Sequence, residues 1–214
     1  MYVQEGEVVS IIGANGAGKT TILKTISGFK KPVCGEIWFQ NKRIDGIPPH
    51  QIAKMGIVQI PAGRMIVAPM TVLDNLKLGA FRNRDRGKLN QNLEKIYAHF
   101  PILKERRSQL AGRLSGGQQQ ILAVGRALMS EPKLLLMDEP SMGLSPVFRN
   151  EVSNIIREIK ESGISILLVE QNCRMALKLA QRAYILELGS IALQGDACDL
   201  SNDERVQKCY LGGI

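Results

Sequence analysis

Gly13-Ala14-Asn15-Gly16-Ala17-Gly18-Lys19-Thr20-Thr21 follows the aliphatic run 8–12 and opens a segment with helical patterning. Strand, glycine-rich turn, Lys-Thr and helix, in that order, make a phosphate-binding loop, G-x-x-x-x-G-K-[ST] in the context it requires. The glycines let successive backbone N–H groups wrap the β- and γ-phosphates of a nucleotide, and the helix N-terminus and the Lys19 ammonium add positive charge. The Thr20 hydroxyl is suited to Mg²⁺ beside those phosphates. A glycine-rich turn before an ordinary core helix is the competing reading, and it is weak because motif and context agree.

Leu114-Ser115-Gly116-Gly117-Gln118 is a second turn of this sort, ahead of a helical run carrying Ile121, Val124 and Leu128. It reads as a helix N-terminus stripped of side chains so that a phosphate can come close. The alternative is an ordinary capping box, with Ser115 as N-cap and Gln118 as its partner three residues on.

Asp138 and Glu139 follow a run, 134–137, that is apolar at every position, as a parallel strand covered on both faces must be. The carboxyl ends of parallel strands are where open α/β sheets bind ligands. Asp138 is expected to hold Mg²⁺, through water, and Glu139 to polarise an attacking water. The runs 8–12, 57–60, 134–137 and 164–169 read as strands. Segments 18–27, 72–79, 88–99, 116–129, 146–161 and 173–180 read as helices. This alternation predicts an α/β fold with a mainly parallel sheet. From about 71 to 113 the rhythm breaks into a helical, basic stretch without strand signals, read as a helical subdomain inserted into one domain of 214 residues.

The composition, 44% apolar and 22% charged, is that of a globular protein, and no apolar run approaches the length of a membrane span. The acidic N-terminus lacks the basic start of a signal peptide, so a cytosolic location is expected. Cys34, Cys173, Cys198 and Cys209 have neither metal-ligand nor C-x-x-C spacing and read as free thiols. Of the net charge of +8, the stretch from Arg82 to Arg113 supplies +6, through nine basic residues against Asp85, Glu94 and Glu105. Such a run is a solvated face by default; lipid phosphate or nucleic acid are the sharper alternatives. The absence of interleaved aromatics speaks against nucleic acid.

The three motifs together resemble those of ATP-binding cassette (ABC) ATPases, a P-loop NTPase fold. The spacings agree, with Ser115 following Lys19 by 96 residues and Asp138 following Ser115 by 23. Longer strings, Ile12 through Thr21, Lys104-Glu-Arg-Arg107, Leu110-Ala-Gly112, Leu168-Val-Glu-Gln-Asn172, Glu204-Arg-Val206 and Tyr210-Leu-Gly212, are similar to the ATP-binding subunits of bacterial branched-chain amino acid importers of the LivF type. The resemblance covers the chain from Val3 on. It implies an ATPase that uses ATP and Mg²⁺ and drives transport. A head-to-tail pair of cassettes is implied, in which Ser115, Gly116, Gly117 and Gln118 contact the ATP held by the facing subunit. The family pattern favours a different subunit as that partner. Two membrane permease subunits, a periplasmic solute-binding protein acting indirectly, and a place on the cytoplasmic face of the inner membrane are implied as well; nucleic acid is not. A cassette acting on nucleic acid or the ribosome is the competing class, and the spacing of 96 residues leaves no room for the coiled coil of repair-type cassettes. A related amide or urea importer, or a cassette that binds ATP without efficient turnover, are the nearer alternatives.

Three departures from the family pattern stand out. Only 18 residues precede Lys19 in the sequence, so counterparts of the leading strands and of the adenine-stacking aromatic are expected to be missing, with either a truncated chain or a weaker hold on adenine as the reading, and Tyr2 lies too close to the loop to serve. Ala62 of Pro61-Ala-Gly-Arg64 stands where this family has Glu and other cassettes have Gln, a side chain that senses Mg²⁺ and the attacking water. Gln59 is too far along the chain to substitute without rearrangement. Gln171 stands where most cassettes have a γ-phosphate-sensing His; the importer subfamily shares the Gln, which donates a hydrogen bond but carries no charge. His50 and His99 read as surface or packing residues.

Overall fold

A computed structural model describes residues 1–63, 65–81 and 85–210, with the side chains of residues 86, 209 and 210 excepted. In chain order the elements are β1 (Val8–Ile12), α1 (Lys19–Ile26), β2 (Trp38–Phe39), β3 (Lys42–Arg43), α2 (Pro49–Met55), β4 (Ile57–Ile60), α3 (Val72–Gly79), α4 (Arg86–His99), α5 (Pro101–Glu105) and a 3-10 turn (Ala111–Arg113). They continue with α6 (Gly116–Leu128), β5 (Leu134–Asp138), α7 (Pro146–Glu161), β6 (Ser165–Glu170), α8 (Cys173–Leu179), β7 (Arg182–Glu187), β8 (Ser190–Asp196), α9 (Ala197–Asn202) and α10 (Glu204–Tyr210). The chain divides into two compact units, one of residues 1–59, 133–139 and 153–214, the other of residues 60–132 and 140–152.

The first unit holds a sheet of strand order β4-β5-β6-β1-β7-β8. β5, β6, β1 and β7 pair in parallel, and β8 runs antiparallel to β7 at the edge. Every residue of β1, β5 and β6 is buried, the signature of strands covered on both faces. The period of two divides the core. Val9, Ile11, Leu136, Leu167, Val169 and Tyr184 face one side with Leu23 of α1 and Ile52 of α2. Ile12, Ala183 and Ile185 face the other, with Ala176 and Leu177 of α8 and Leu200 of α9. The register sets Asp138 beside Val169 and Ile12 beside Glu170, so the ends of β1, β5 and β6 lie level.

The second unit is helical. It takes in the stretch 71–113 and reaches further, because α6 packs against α3: Gly125 lies against Leu76, Ile96 and Leu103, and Gly79 sits directly on the Arg126 carbonyl. Thr71 caps α3 by accepting the Asp74 N–H at 3.0 Å. The wholly buried Asn75 accepts the Val67 N–H at 2.9 Å and donates to the Val67 and Thr71 carbonyls, both at 3.0 Å, pinning the loop ahead of α3. Asp85 caps α4 through the Gly87 N–H, which starts that helix two residues before the expected Lys88. Of the basic stretch, Arg82 and Arg84 lie outside the described residues. Lys88 pairs with Glu131 at 2.7 Å and Lys104 with Glu94 at 3.0 Å. Among the described residues no helix is long and apolar enough to cross a membrane.

Candidate functional site

The phosphate loop leaves the buried β1 and returns as α1, whose N-cap is Gly18. Its glycines answer different demands. At Gly13 a Cβ would lie 2.4 Å from the Leu186 carbonyl oxygen, so only glycine lets the loop turn against β7. Gly18 has φ +105°, a conformation that side chains disfavour. The turn between β7 and β8 braces the loop, with the Gly189 N–H donating to the Ala17 carbonyl at 3.1 Å. These tertiary contacts fix the loop independently of any ligand.

Four expected residues meet here. The Lys19 ammonium, 4% exposed, donates to the Gly13 carbonyl at 2.8 Å and the Ala14 carbonyl at 3.1 Å, and pairs with Glu139 Oε1 at 3.1 Å. The Thr20 hydroxyl donates to Asp138 Oδ1 at 3.1 Å. Burial pushes the Asp138 carboxyl above its ordinary pKa; the Thr20 hydrogen bond opposes this, the Glu139 charge adds to it, and Lys19 and Lys24 oppose it. A buried carboxylate of this kind gains most from a nearby cation. Glu139 sits at φ +47°, a left-handed backbone unusual for a side-chain-bearing residue, and its N–H donates to the Val169 carbonyl at 2.9 Å. Such strain persists where the surroundings over-determine it, and here it turns the Glu139 carboxylate onto Lys19.

Gln171 occupies an exposed bend one residue beyond β6, at the same end of the sheet; it is not part of the Lys19 and Asp138 hydrogen bonds described here. Asn172 behind it caps α8 by accepting the Met175 N–H at 3.0 Å. Cys173 is buried at the start of that helix, and burial pushes its thiol up to about 11. Gln59 is committed elsewhere: its side-chain oxygen accepts the Ser27 hydroxyl at 2.6 Å. His50 and His99 are exposed.

In the second unit, Ser115 and Gln118 form a complete capping box. Ser115 Oγ accepts the Gln118 N–H at 3.3 Å, and Gln118 Oε1 accepts the Ser115 N–H at 3.1 Å. The capping and anion-site readings of Leu114 to Gln118 are compatible. The first i to i−4 bond of α6 is the Gln119 N–H to the Ser115 carbonyl, and helix geometry leaves the N–H groups of Gly116 and Gly117 without intrahelical acceptors. Gly117 nevertheless has a reason for being glycine that the sequence does not disclose: a Cβ there would lie 2.0 Å from Cδ1 of Phe148. Ala62 is half-buried in this unit.

One cluster escapes sequence reading altogether. Arg182 on β7 grips Glu7 through two hydrogen bonds, at 2.6 and 2.9 Å, and donates to the Tyr2 carbonyl at 2.9 Å. Its guanidinium lies 3.8 Å from the centre of the Tyr2 ring. Tyr2 is thus half of a clamp that holds the N-terminal segment against β7. No local pattern marks a pair separated by 175 residues.

The profile of the ABC transporter family matches residues 1–142. The high-affinity branched-chain amino acid transport ATP-binding protein BraG of Pseudomonas aeruginosa is 44% identical over 99% of this chain and 90% of its own length. A lipopolysaccharide export ATP-binding protein, LptB of Escherichia coli, is 32% identical over 99% of this chain and 88% of its own length. Among solved structures, the ADP conformation of an ATP-binding cassette of an ABC transporter superposes with a TM-score of 0.88 at 31% identity, covering 99% of this chain and 90% of that one. With a phosphate loop, a buried aspartate and a lysine-paired glutamate gathered at one end of its parallel sheet, the chain belongs to the ABC transporter family, as an ATP-hydrolysing cassette.

Proposed function

We propose that this cassette powers an importer of branched-chain amino acids, with Lys19, Thr20, Asp138 and Glu139 as its chemical centre. The contact of Lys19 with Glu139, beside that of Thr20 with Asp138, carries the assignment of the centre. The similarity to BraG across the whole chain carries the cargo class.

Residues 13–21 wrap the β- and γ-phosphates with backbone N–H groups, and Lys19 neutralises their charge. Thr20 and Asp138 fit Mg²⁺: a hydroxyl and a buried carboxylate, both hard oxygen donors, already lie 3.1 Å apart. When bound, the ion offsets negative charge on the phosphates. Glu139 accepts the proton of the water that attacks the γ-phosphorus, as the bond to the β–γ bridging oxygen breaks and ADP and phosphate leave. Gln171 donates to the γ-phosphate from the bend after β6. Ser115, Gly116, Gly117 and Gln118 serve the ATP of a second cassette stacked head to tail, a different subunit of the same transporter. Two permease subunits at the cytoplasmic face of the membrane take up the resulting motion.

Turnover of radiolabelled ATP by the wild type, Lys19→Ala and Glu139→Gln tests the centre. Both substitutions are expected to lower kcat by about 10²-fold or more, with Glu139→Gln still binding ATP and accumulating a paired-cassette form. Wild-type turnover in Lys19→Ala would sink the assignment. Leucine uptake into vesicles carrying the assembled transporter tests the cargo, with urea and an amide as the contrasting solutes.

A further inference from the structure

We infer that Phe148 is a positioning residue for the turn Leu114 to Gln118, and that Gly117 is glycine to receive the Phe148 ring rather than to admit a phosphate. The inference rests on the reading of that turn as part of a facing cassette's ATP site.

Gly117 is buried. A Cβ built on it would lie 2.0 Å from Cδ1, 2.3 Å from Cε1 and 2.5 Å from Cγ of Phe148, so the aromatic ring occupies the place where any side chain would begin. At Gly16 of the phosphate loop, by contrast, a Cβ would meet nothing within 4 Å, and φ +83° alone accounts for the glycine. Gly16 and Gly117 therefore answer different physical demands. One supplies backbone freedom around a ligand. The other supplies a socket.

What fills the socket gives it a function. Phe148 stands in the first turn of α7, nine residues after Glu139 along the chain. Ser115 and Gln118 fix the turn from within by their reciprocal caps. The ring fixes it from outside, at van der Waals contact with the Cα of the second helical residue. A ring in such contact cannot shift without shifting the helix start, because close-packed atoms have no slack to absorb a displacement. Movement of the segment that follows this chain's own Glu139 is thereby delivered to the two N–H groups, Gly116 and Gly117, offered to the neighbour's nucleotide. Neighbouring Val147 is 74% exposed, so on the surface of this first turn the apolar side chain that faces inward is Phe148.

The test is a graded series, Phe148→Leu, Phe148→Val and Phe148→Ala, in the full chain assembled with its transporter. ATPase activity should fall stepwise, by about tenfold at alanine, while KM for ATP stays within about twofold. A uniform structural defect would move both. A companion set reads the socket through thermal unfolding of the full chain. Gly117→Ala lowers Tm, and Gly117→Ala combined with Phe148→Ala recovers the Tm of Phe148→Ala alone. A flat kcat series overturns the positioning role, and a double variant no more stable than Gly117→Ala overturns the socket. Should the wild type lack Lys19-dependent ATPase activity, the ATP-site reading fails, and the Tm cycle still reports on the contact.

Discussion

Replacing Arg182 with Leu removes the clamp on the N-terminal segment and tests how much tertiary wiring, rather than the phosphate loop itself, holds the first unit together. The substitution deletes two hydrogen bonds to Glu7, one to the Tyr2 carbonyl, one to the Tyr184 hydroxyl, and the stacking on Tyr2. Glu7, 8% exposed, keeps the Gln4 N–H at 2.8 Å as its remaining described donor. Stranding a buried carboxylate costs about 3–5 kcal/mol when water cannot reach it; Arg182 is 17% exposed, so solvent enters in its place and the lower end, about 3 kcal/mol, applies. For a chain of this size that is a loss of about 6–12 °C in Tm. The pH dependence identifies the cause. Burial works to raise the Glu7 pKa, and the hydrogen bonds from Arg182 and Gln4 with the Arg182 charge outweigh it, so the folded value lies below the ordinary 4.5. A depressed folded pKa stabilises above the unfolded pKa, and that contribution is lost as pH falls through the folded value. Urea unfolding followed by circular dichroism should therefore find the full wild-type advantage at pH 7 and a smaller one below about pH 4. ATP affinity should change little, because the phosphate loop is met by Leu186 of β7 and by Gly189 in the turn that follows, at the end of β7 far from Arg182. A loss under about 1 kcal/mol, or a gap that does not narrow in acid, would refute the reasoning.

Gly79→Ala should destabilise the helical unit by about 3 kcal/mol, since its Cβ would meet the Arg126 carbonyl at 1.9 Å; a Tm within a degree of wild type would show that α3 and α6 separate freely. Ala62→Glu, which places at this position the carboxylate that the resemblance to branched-chain importers leads one to expect, should raise ATP turnover of the assembled transporter severalfold, and unchanged turnover would mark the position as idle. At pH 8 a Cys209→Ser chain should show two fast thiols, the exposed Cys34 and Cys198. Cys173, buried with its thiol pushed up to about 11, should react more than about a hundredfold slower; three equal rates of thiol titration would contradict its burial.

The parts of the fold that sequence reading reached are those with a local cause. The strands β1, β5 and β6 announce themselves because burial on both faces demands unbroken apolar runs. The phosphate loop is legible because its chemistry is contained in nine consecutive residues, and Asp138 and Glu139 because they end such a run. β7 and β8 carry no such signal: β8 is exposed or half-buried throughout at a sheet edge, and β7 starts at the half-buried Arg182 and ends at the exposed Glu187. The hairpin of β2 and β3 has two residues per strand, too few for any period. The breadth of the helical unit depends on Gly79 and Gly125, whose small size matters only once α6 lies across α3. No local pattern in the sequence marks Asn75 as the wholly buried anchor that it is.

The same distinction bears on what the two glycine motifs can mean in this family. The phosphate loop matches its motif over nine consecutive residues in a strand-to-helix context, so it predicts a ligand from sequence alone even though Gly13 also answers to the Leu186 carbonyl. The turn Leu114 to Gln118 does not: its capping box is local, its unbonded N–H groups are common to helix starts, and Gly117 is accounted for by a ring 31 residues further on. On the proposed function its link to nucleotide comes through an assembly, and the chain segment that supplies the ring is the one that follows Glu139. On that reading the cassette does its work without contact with its cargo. Relatives named for branched-chain amino acid transport and for lipopolysaccharide export are both similar to this chain over 99% of its length. The proposed function places cargo choice in the partners, so substitutions at Phe148 should alter the rate of transport without altering which solute is carried.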